Sequence, residues 1–319
     1  MQGAKHCRLV ANGTDALEIS LRCLGVGKND LVGIPGITFY ATAEAVINIG
    51  ATPILIDVDP TTGLICVNSL TNILKLHPLK AVIPVHIYGL PAPMEKIEPI
   101  CLDNNVAIVE DGAQASGTFT HTGPVGSGQN SLTTFSFYPT KNLSAMGDAG
   151  AILTQSDEMA EKIKVLRNHG RGANDVIGRN SRCDHFQAAI LHLKLQEIAT
   201  QNQFRKDIAS QYFKYLNNSH IKLLDQKFLK TSSWHLFPVR LSDSKACQKL
   251  KKWLDSNEIG NSPFFYDKAM GQMPALKNCP GESKFSEQFA GTILSLPINP
   301  YLTKEQVQFV AETINSFEL

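Results

Sequence analysis

Three short segments of this 319-residue chain carry side chains that could bind an anion or act in catalysis. The first, Asn12-Gly13-Thr14-Asp15, connects a predicted strand to a predicted helix. Glycine there lets the backbone approach a ligand, Thr14 adds a hydroxyl, and the N-terminus of a helix favours an anion such as phosphate. A plain helix N-cap explains the same residues, so this segment alone does not establish a phosphate site.

The second segment is an acidic pair, Glu110 and Asp111, which ends the predicted strand 106–109. A carboxylate at such a position is expensive to bury without a cationic partner. A ribose, a metal ion or a protonated ring nitrogen would each suit an acidic side chain here. The residues by themselves do not choose between these ligands.

The third segment, 135–142 (FSFYPTKN), ends another strand and contains Lys141 with no acidic residue near it. Such a lysine is most often a solvated surface residue. If it is desolvated, its pKa falls and its amine becomes a nucleophile towards aldehydes. A strand-end Asp111 thirty residues before Lys141, with a helix start suited to phosphate upstream, is the ordered set that a pyridoxal phosphate site needs.

The elements that must position these segments alternate along the first half of the chain. Apolar runs such as 54–58 and 106–109 are separated by helical patterns such as 14–24 and 38–49. Strands buried on both faces and separated by helices predict a mainly parallel, doubly wound sheet, which binds ligands at the carboxyl ends of its strands. The pattern changes after about residue 195, so we expect a large domain at 1–195 and a smaller α+β domain at 196–319.

Composition and missing motifs exclude several classes of protein. Thirty Lys plus Arg and 29 Asp plus Glu give a formal net charge of +1, which gives no electrostatic reason to expect nucleic acid or a membrane. Seven scattered cysteines without CxxC spacing, and histidines without partners at ligand spacing, predict no disulfide framework and no metal, and fit a cytoplasmic protein. The GxxxxGK[ST], HExxH and GxSxG motifs are absent, and no GxGxxG follows the first strand.

Seven blocks of sequence resemble the DegT/DnrJ/EryC1/StrS sugar aminotransferases and occur in that family's order. They are 12–17 (NGTDAL), 38–43 (TFYATA), 110–114 (EDGAQ), 136–143 (SFYPTKNL), 167–170 (RNHG), 180–189 (NSRCDHFQAA) and 294–297 (LSLP). The resemblance implies the aspartate aminotransferase-like fold (fold type I), with a mainly parallel seven-stranded sheet and pyridoxal 5′-phosphate as cofactor. It also implies transamination of a keto-sugar on a nucleotide, commonly with glutamate as donor, in polysaccharide or glycoside biosynthesis.

The resemblance further implies a role for each matching residue. Lys141 would bind the cofactor aldehyde covalently and then move protons as base and acid. Asp111 would pair with the ring nitrogen, Gln114 would contact the side of the ring that bears the 3-hydroxyl, and Phe39 would stack on its face. The phosphate would be held by Gly13, Thr14 and Ser136, together with Asn180 from the other subunit of a homodimer.

Several alternatives stay open. Family members usually carry a further segment before the first motif. A first alternative is therefore a cofactor-binding protein of this fold with impaired catalysis. A dehydratase of the same fold would carry histidine in place of Lys141, and a purely structural scaffold would bind no cofactor. The resemblance at Asp15 favours a 3-keto over a 4-keto sugar. Phe264, Phe265 and Tyr266 are compatible with a contact to the sugar or with apolar packing.

Overall fold

A seven-stranded sheet is the centre of this protein in a computed structural model, which describes residues 3–173, 175–260 and 266–319. The strands of the chain are β1 (His6–Val10), β2 (Leu31–Pro35), β3 (Thr52–Ile56), β4 (Leu79–Val82), β5 (Ala107–Asp111), β6 (Phe119–Thr120), β7 (Gly123–Pro124), β8 (Ser131–Ser136), β9 (Gly150–Thr154), β10 (Phe237–Arg240) and β11 (Ile293–Leu296). The large sheet has the order β1-β9-β8-β5-β4-β2-β3, and only β9 runs against its neighbours. The predicted mainly parallel sheet is therefore confirmed.

Nine α-helices accompany these strands in the described part of the chain. They are α1 (Gly13–Cys23), α2 (Tyr40–Asn48), α3 (Val67–Leu76), α4 (Met94–Asp103), α5 (Asp157–Leu166), α6 (His185–Tyr215), α7 (Ser244–Ser256), α8 (Lys284–Phe289) and α9 (Lys304–Asn315). The predicted boundary between residues 195 and 196 falls inside the 31-residue helix α6. The division into 1–195 and 196–319 stays a prediction.

Apolar side chains cover both faces of the large sheet. In β3, Ile54 and Ile56 belong to one buried cluster, whereas Leu55 between them belongs to another. Successive side chains of a strand point to opposite faces, so this division places a core on each side of the sheet. Two covered faces explain why the strands read as continuous apolar runs rather than as alternating patterns.

The C-terminal part of the chain packs around a two-stranded antiparallel sheet of β10 and β11. Helix α7 packs against β11, and α9 packs against both α7 and the long helix α6. Tyr212, Phe213, Trp234 and Phe237 form an aromatic cluster with ring centroids 5.0–5.9 Å apart. In the described ranges, no helix has both the length and the apolar character that crossing a membrane requires.

Candidate active site

The three segments singled out in the sequence meet at one edge of the large sheet. Strands β1 and β8 both pair with β9, so Val10 and Ser136, the last residues of those strands, lie on either side of Gly150. Asp111 at the end of β5 pairs with Thr134 of β8. The carboxyl ends of β1, β5 and β8 are therefore adjacent, as expected for a ligand site in an open α/β sheet.

Two glycines allow the start of α1 to approach the ends of β8 and β9. A Cβ atom on Gly13 would lie 2.8 Å from Ser136 Cβ, and one on Gly150 would lie 2.4 Å from the Asn12 carbonyl oxygen. Asn12 caps α1, because its Oδ1 accepts the Asp15 N–H at 2.8 Å. The first N–H groups of a helix have no partner within the helix, so Gly13 and the Ser136 hydroxyl border a place suited to phosphate.

Asp111 is a buried carboxylate whose hydrogen bonds come from neutral donors. Asp111 is only 5% exposed. Its carboxylate accepts hydrogen bonds from the Thr42 hydroxyl and the Ala113 N–H, each at 3.0 Å. Thr42 in turn lies 2.7 Å from the Thr38 hydroxyl. Among the described residues, no cationic side chain forms an ion pair with Asp111. A buried carboxylate in this state is suited to a ligand that brings a positive charge.

The neighbouring Glu110 is buried, and its carboxylate is hydrogen-bonded within the protein. Its Oε2 lies 2.9 Å from His86 Nε2, and its Oε1 accepts the hydroxyls of Ser131 and, at 3.1 Å, of Thr133. The Ala92 N–H donates to His86 Nδ1, so Nε2 is the ring nitrogen that donates to Glu110. Burial raises the pKa of Glu110, but these hydrogen bonds together bring it below its ordinary value. Glu110 is thus a structural group, and Asp111 is the member of the acidic pair left for a ligand.

Lys141 follows the turn after β8 and is half-buried. Its backbone N–H donates to the Tyr138 carbonyl at 2.9 Å, which closes that turn. Burial lowers the pKa of the Lys141 amine, and the negative charge of Asp111 raises it by less, so the net shift is downward. More of this amine is therefore neutral near pH 7 than in an ordinary lysine, as a nucleophile or a general base requires.

The side chain of Gln114 connects the site to the C-terminal part of the chain. Its Oε1 accepts the Tyr88 N–H at 2.6 Å, and its Nε2 donates to the Tyr266 hydroxyl at 3.2 Å. Tyr266 is buried here. Phe264 and Phe265, which were considered with it in the sequence, lie outside the described residues. The contact of Gln114 with a cofactor ring stays a prediction.

Two other predicted residues face outwards in the single chain. Phe39 caps α2 and is 54% exposed, and Asn180 is exposed as well. Next to Asn180, Arg179 forms ion pairs with Asp15, at 3.1 Å, and with Glu18. Asp15 therefore supports the segment that carries Asn180. An exposed Asn180 is compatible with the predicted role in a second subunit, which stays a prediction.

Sequence reasoning did not identify Thr42 or His235 as groups of this site. Thr42 lies inside a block that resembled the family, but its bond to Asp111 spans 69 residues. His235 is buried, and burial lowers its pKa well below the ordinary value, with further lowering by the positive charges of Lys141 and Arg205. No local pattern around either residue indicates these contacts.

Known proteins resemble this chain over most of its length. Residues 1–315 match the DegT/DnrJ/EryC1/StrS aminotransferase family. The chain is 38% identical to the dTDP-3-amino-3,6-dideoxy-alpha-D-galactopyranose transaminase of Aneurinibacillus thermoaerophilus, over 99% of this chain and 86% of that protein. It is 35% identical to the UDP-N-acetyl-3-dehydro-alpha-D-glucosamine 3-aminotransferase of Acidithiobacillus ferrooxidans, over 98% and 85%. The structure of S. venezuelae DesV in complex with a ketimine intermediate superposes with a TM-score of 0.91, at 32% identity, over 98% of this chain and 85% of that one.

Proposed function

The chain belongs to the DegT/DnrJ/EryC1/StrS aminotransferase family, and from that premise we propose that it transfers an amino group from glutamate to a 3-keto sugar carried on a nucleotide. The family, the aminotransferase activity, the fold and the dependence on pyridoxal phosphate agree with the expectations from the sequence. The observation that carries the proposed site is a buried Asp111 without an ion-pair partner among the described residues, close enough to act electrostatically on the half-buried Lys141, whose amine has a lowered pKa.

The residues at the edge of the sheet fit pyridoxal phosphate by their chemistry. The cofactor has a phosphate, an aldehyde and a ring nitrogen that can be protonated. The start of α1 with Ser136 suits the phosphate, Lys141 suits the aldehyde, and Asp111 suits a cationic nitrogen. Each of the three parts of the cofactor therefore has a complementary group in the structure.

When bound, pyridoxal phosphate supplies an aldehyde and a ring that withdraws electrons from the reacting carbon. Asp111 holds a proton on the ring nitrogen, because an ionised carboxylate favours the charged form of its partner. The Lys141 amine accepts the proton from the α-carbon of the amino donor as a general base and then gives it up as a general acid. When the sugar ketone reacts, Lys141 moves a proton towards the carbon of the substrate instead of away from it.

The names of the relatives and the first motif support a 3-keto sugar. Two of the relatives described above are named for a 3-amino or a 3-dehydro sugar. Asp15, the residue of the motif that favoured this choice, forms an ion pair with Arg179. We infer that Asp15 influences the substrate through the segment around Asn180, in an active site shared between the two subunits of a homodimer.

A panel of nucleotide sugars tests the proposed substrate. With glutamate as donor, we expect turnover of a 3-keto sugar at least about tenfold above that of a matched 4-keto sugar, a difference typical of discrimination by pocket shape. Amino-sugar formation is measured by mass spectrometry, with reactions lacking glutamate as control. Faster use of the 4-keto sugar would refute the regiochemistry. A cofactor that never reacts with glutamate would instead favour the alternative of a binding protein with impaired catalysis.

The phosphate site is tested by substituting Gly13. We expect Gly13→Ala to weaken binding of pyridoxal phosphate about tenfold, equivalent to about 1.4 kcal/mol, because the new methyl group would collide with Ser136. Absorbance titration of the cofactor-free protein measures this affinity. Gly27→Ala is the matched control, since a Cβ atom there meets open space. Equal affinities for both variants would contradict a phosphate site at α1.

A further inference from the structure

The side chain of Asn142, the residue after Lys141, is buried and fixed by three hydrogen bonds. Its Nδ2 donates to the Ser233 carbonyl and to Asn202 Oδ1, both at 2.9 Å, and its Oδ1 lies 3.0 Å from His235 Nδ1. A carbonyl oxygen can only accept, so the atom that faces Ser233 must be the amide nitrogen. The amide oxygen of Asn142 therefore faces His235.

This orientation determines the proton on His235. Since the Asn142 oxygen can only accept, His235 Nδ1 must carry the hydrogen, and the uncharged ring keeps its lone pair on Nε2. Burial lowers the pKa of His235 well below its ordinary value. The charged side chains that act on the ring, Lys141 and Arg205, lower it further. The imidazole is therefore neutral beside the Lys141 loop.

The two contacts that come from 233–235 flank a residue with an unusual backbone conformation. Trp234, between Ser233 and His235, is fully buried and has a φ of 48°. A bulky residue in the left-handed region is a rare and strained conformation, held only when its surroundings require it. Here the turn at Trp234 accompanies the approach of the Ser233 carbonyl and the His235 ring to the same amide group.

The network extends to a third part of the chain. Asn202 on α6 donates from its Nδ2 to the Ser116 carbonyl at 2.8 Å. A Cβ atom on Gly117 would lie 2.3 Å from that nitrogen, so the loop after β5 and α6 are in direct contact. The lysine loop, α6 and the segment 233–235 are thus joined through buried polar groups, which are costly to leave without partners.

We propose that His235 is a positioning residue, whose imidazole fixes the loop of Lys141 through the bond from Nδ1 to Asn142. The inference rests on the proposed function of Lys141, since exact placement matters only for an amine that reacts. Loss of the bond would leave the Asn142 oxygen unpaired and would let the loop and water rearrange around the amine. A better solvated ammonium group has a higher pKa.

Two substitutions distinguish the effect of losing the hydrogen bond from the effect of losing the volume of the ring. In His235→Asn, the side-chain amide nitrogen can take the place of Nδ1, so the bond to Asn142 is kept. In His235→Gln, which is nearer to histidine in size, the amide reaches the position of Nε2 and the bond is lost. In the full chain freed of cofactor, competitive labelling with limiting acetic anhydride measures the titration of Lys141 by mass spectrometry, with the exposed Lys28 as reference.

We expect the Lys141 midpoint to rise by about one pH unit in His235→Gln and to stay at the wild-type value in His235→Asn. Thermal unfolding identifies any variant that does not fold. An unchanged midpoint in folded His235→Gln would overturn the proposal, and so would an equal shift in both variants. If His235→Gln does not fold, a shifted midpoint in His235→Asn overturns it. The labelling uses no sugar, so its result stands apart from that of the substrate panel.

Discussion

Transamination by Lys141→Ala is expected to fall at least about 10³-fold, the scale at which a positioned acid–base group contributes to catalysis. In the proposed mechanism the Lys141 amine moves the proton of the amino donor, and alanine can neither accept nor donate it. Because Lys141 is half-buried and its amine makes no hydrogen bond within the described residues, the fold should persist. Single-turnover reaction of the bound cofactor with glutamate measures the loss.

The control for this variant is Lys75→Ala, at an exposed lysine of α3, which should react at the wild-type rate. Borohydride treatment of the wild-type protein saturated with pyridoxal phosphate gives an independent reading. The modified peptide should contain Lys141. Retained turnover in Lys141→Ala, or a label on another lysine, would remove the central role assigned to this amine.

Asp111→Asn is expected to keep part of its cofactor and to lose about 10²–10³-fold in rate, which is typical when one stabilising electrostatic group is removed. A neutral amide cannot hold the proton on the ring nitrogen, so the ring withdraws electrons less strongly. The variant should fold, because its amide oxygen can accept the Ala113 N–H and the Thr42 hydroxyl can rotate to accept from the new amide nitrogen.

Cofactor absorbance and the rate of the half-reaction with glutamate, measured together, distinguish weak binding from slow chemistry. Asp103→Asn, at an exposed carboxylate of α4, is the matched control and should behave as wild type. A normal rate in Asp111→Asn would mean that another group protonates the ring.

The sequence alone predicted the mainly parallel sheet and the edge of it at which the candidate site lies. Strands such as β3 could be predicted because residues buried on both faces of a sheet are mostly apolar, which leaves a pattern within five residues. The candidate segments at Gly13, Asp111 and Lys141 could be predicted to meet, since each follows a strand and parallel strands bring their carboxyl ends to one edge.

Only the tertiary structure decided which partners these groups have. It divided the acidic pair, giving Glu110 to His86 and leaving Asp111 for a ligand. It also placed His235 on Asn142, across 93 residues of chain. The physical reason is that periodicity and capping report local conformation, whereas a hydrogen bond between distant residues depends on the path of the whole chain. Local patterns therefore predicted the edge of the sheet. The network that fixes the lysine loop could not be predicted from them, because it forms only when distant parts of the chain fold together.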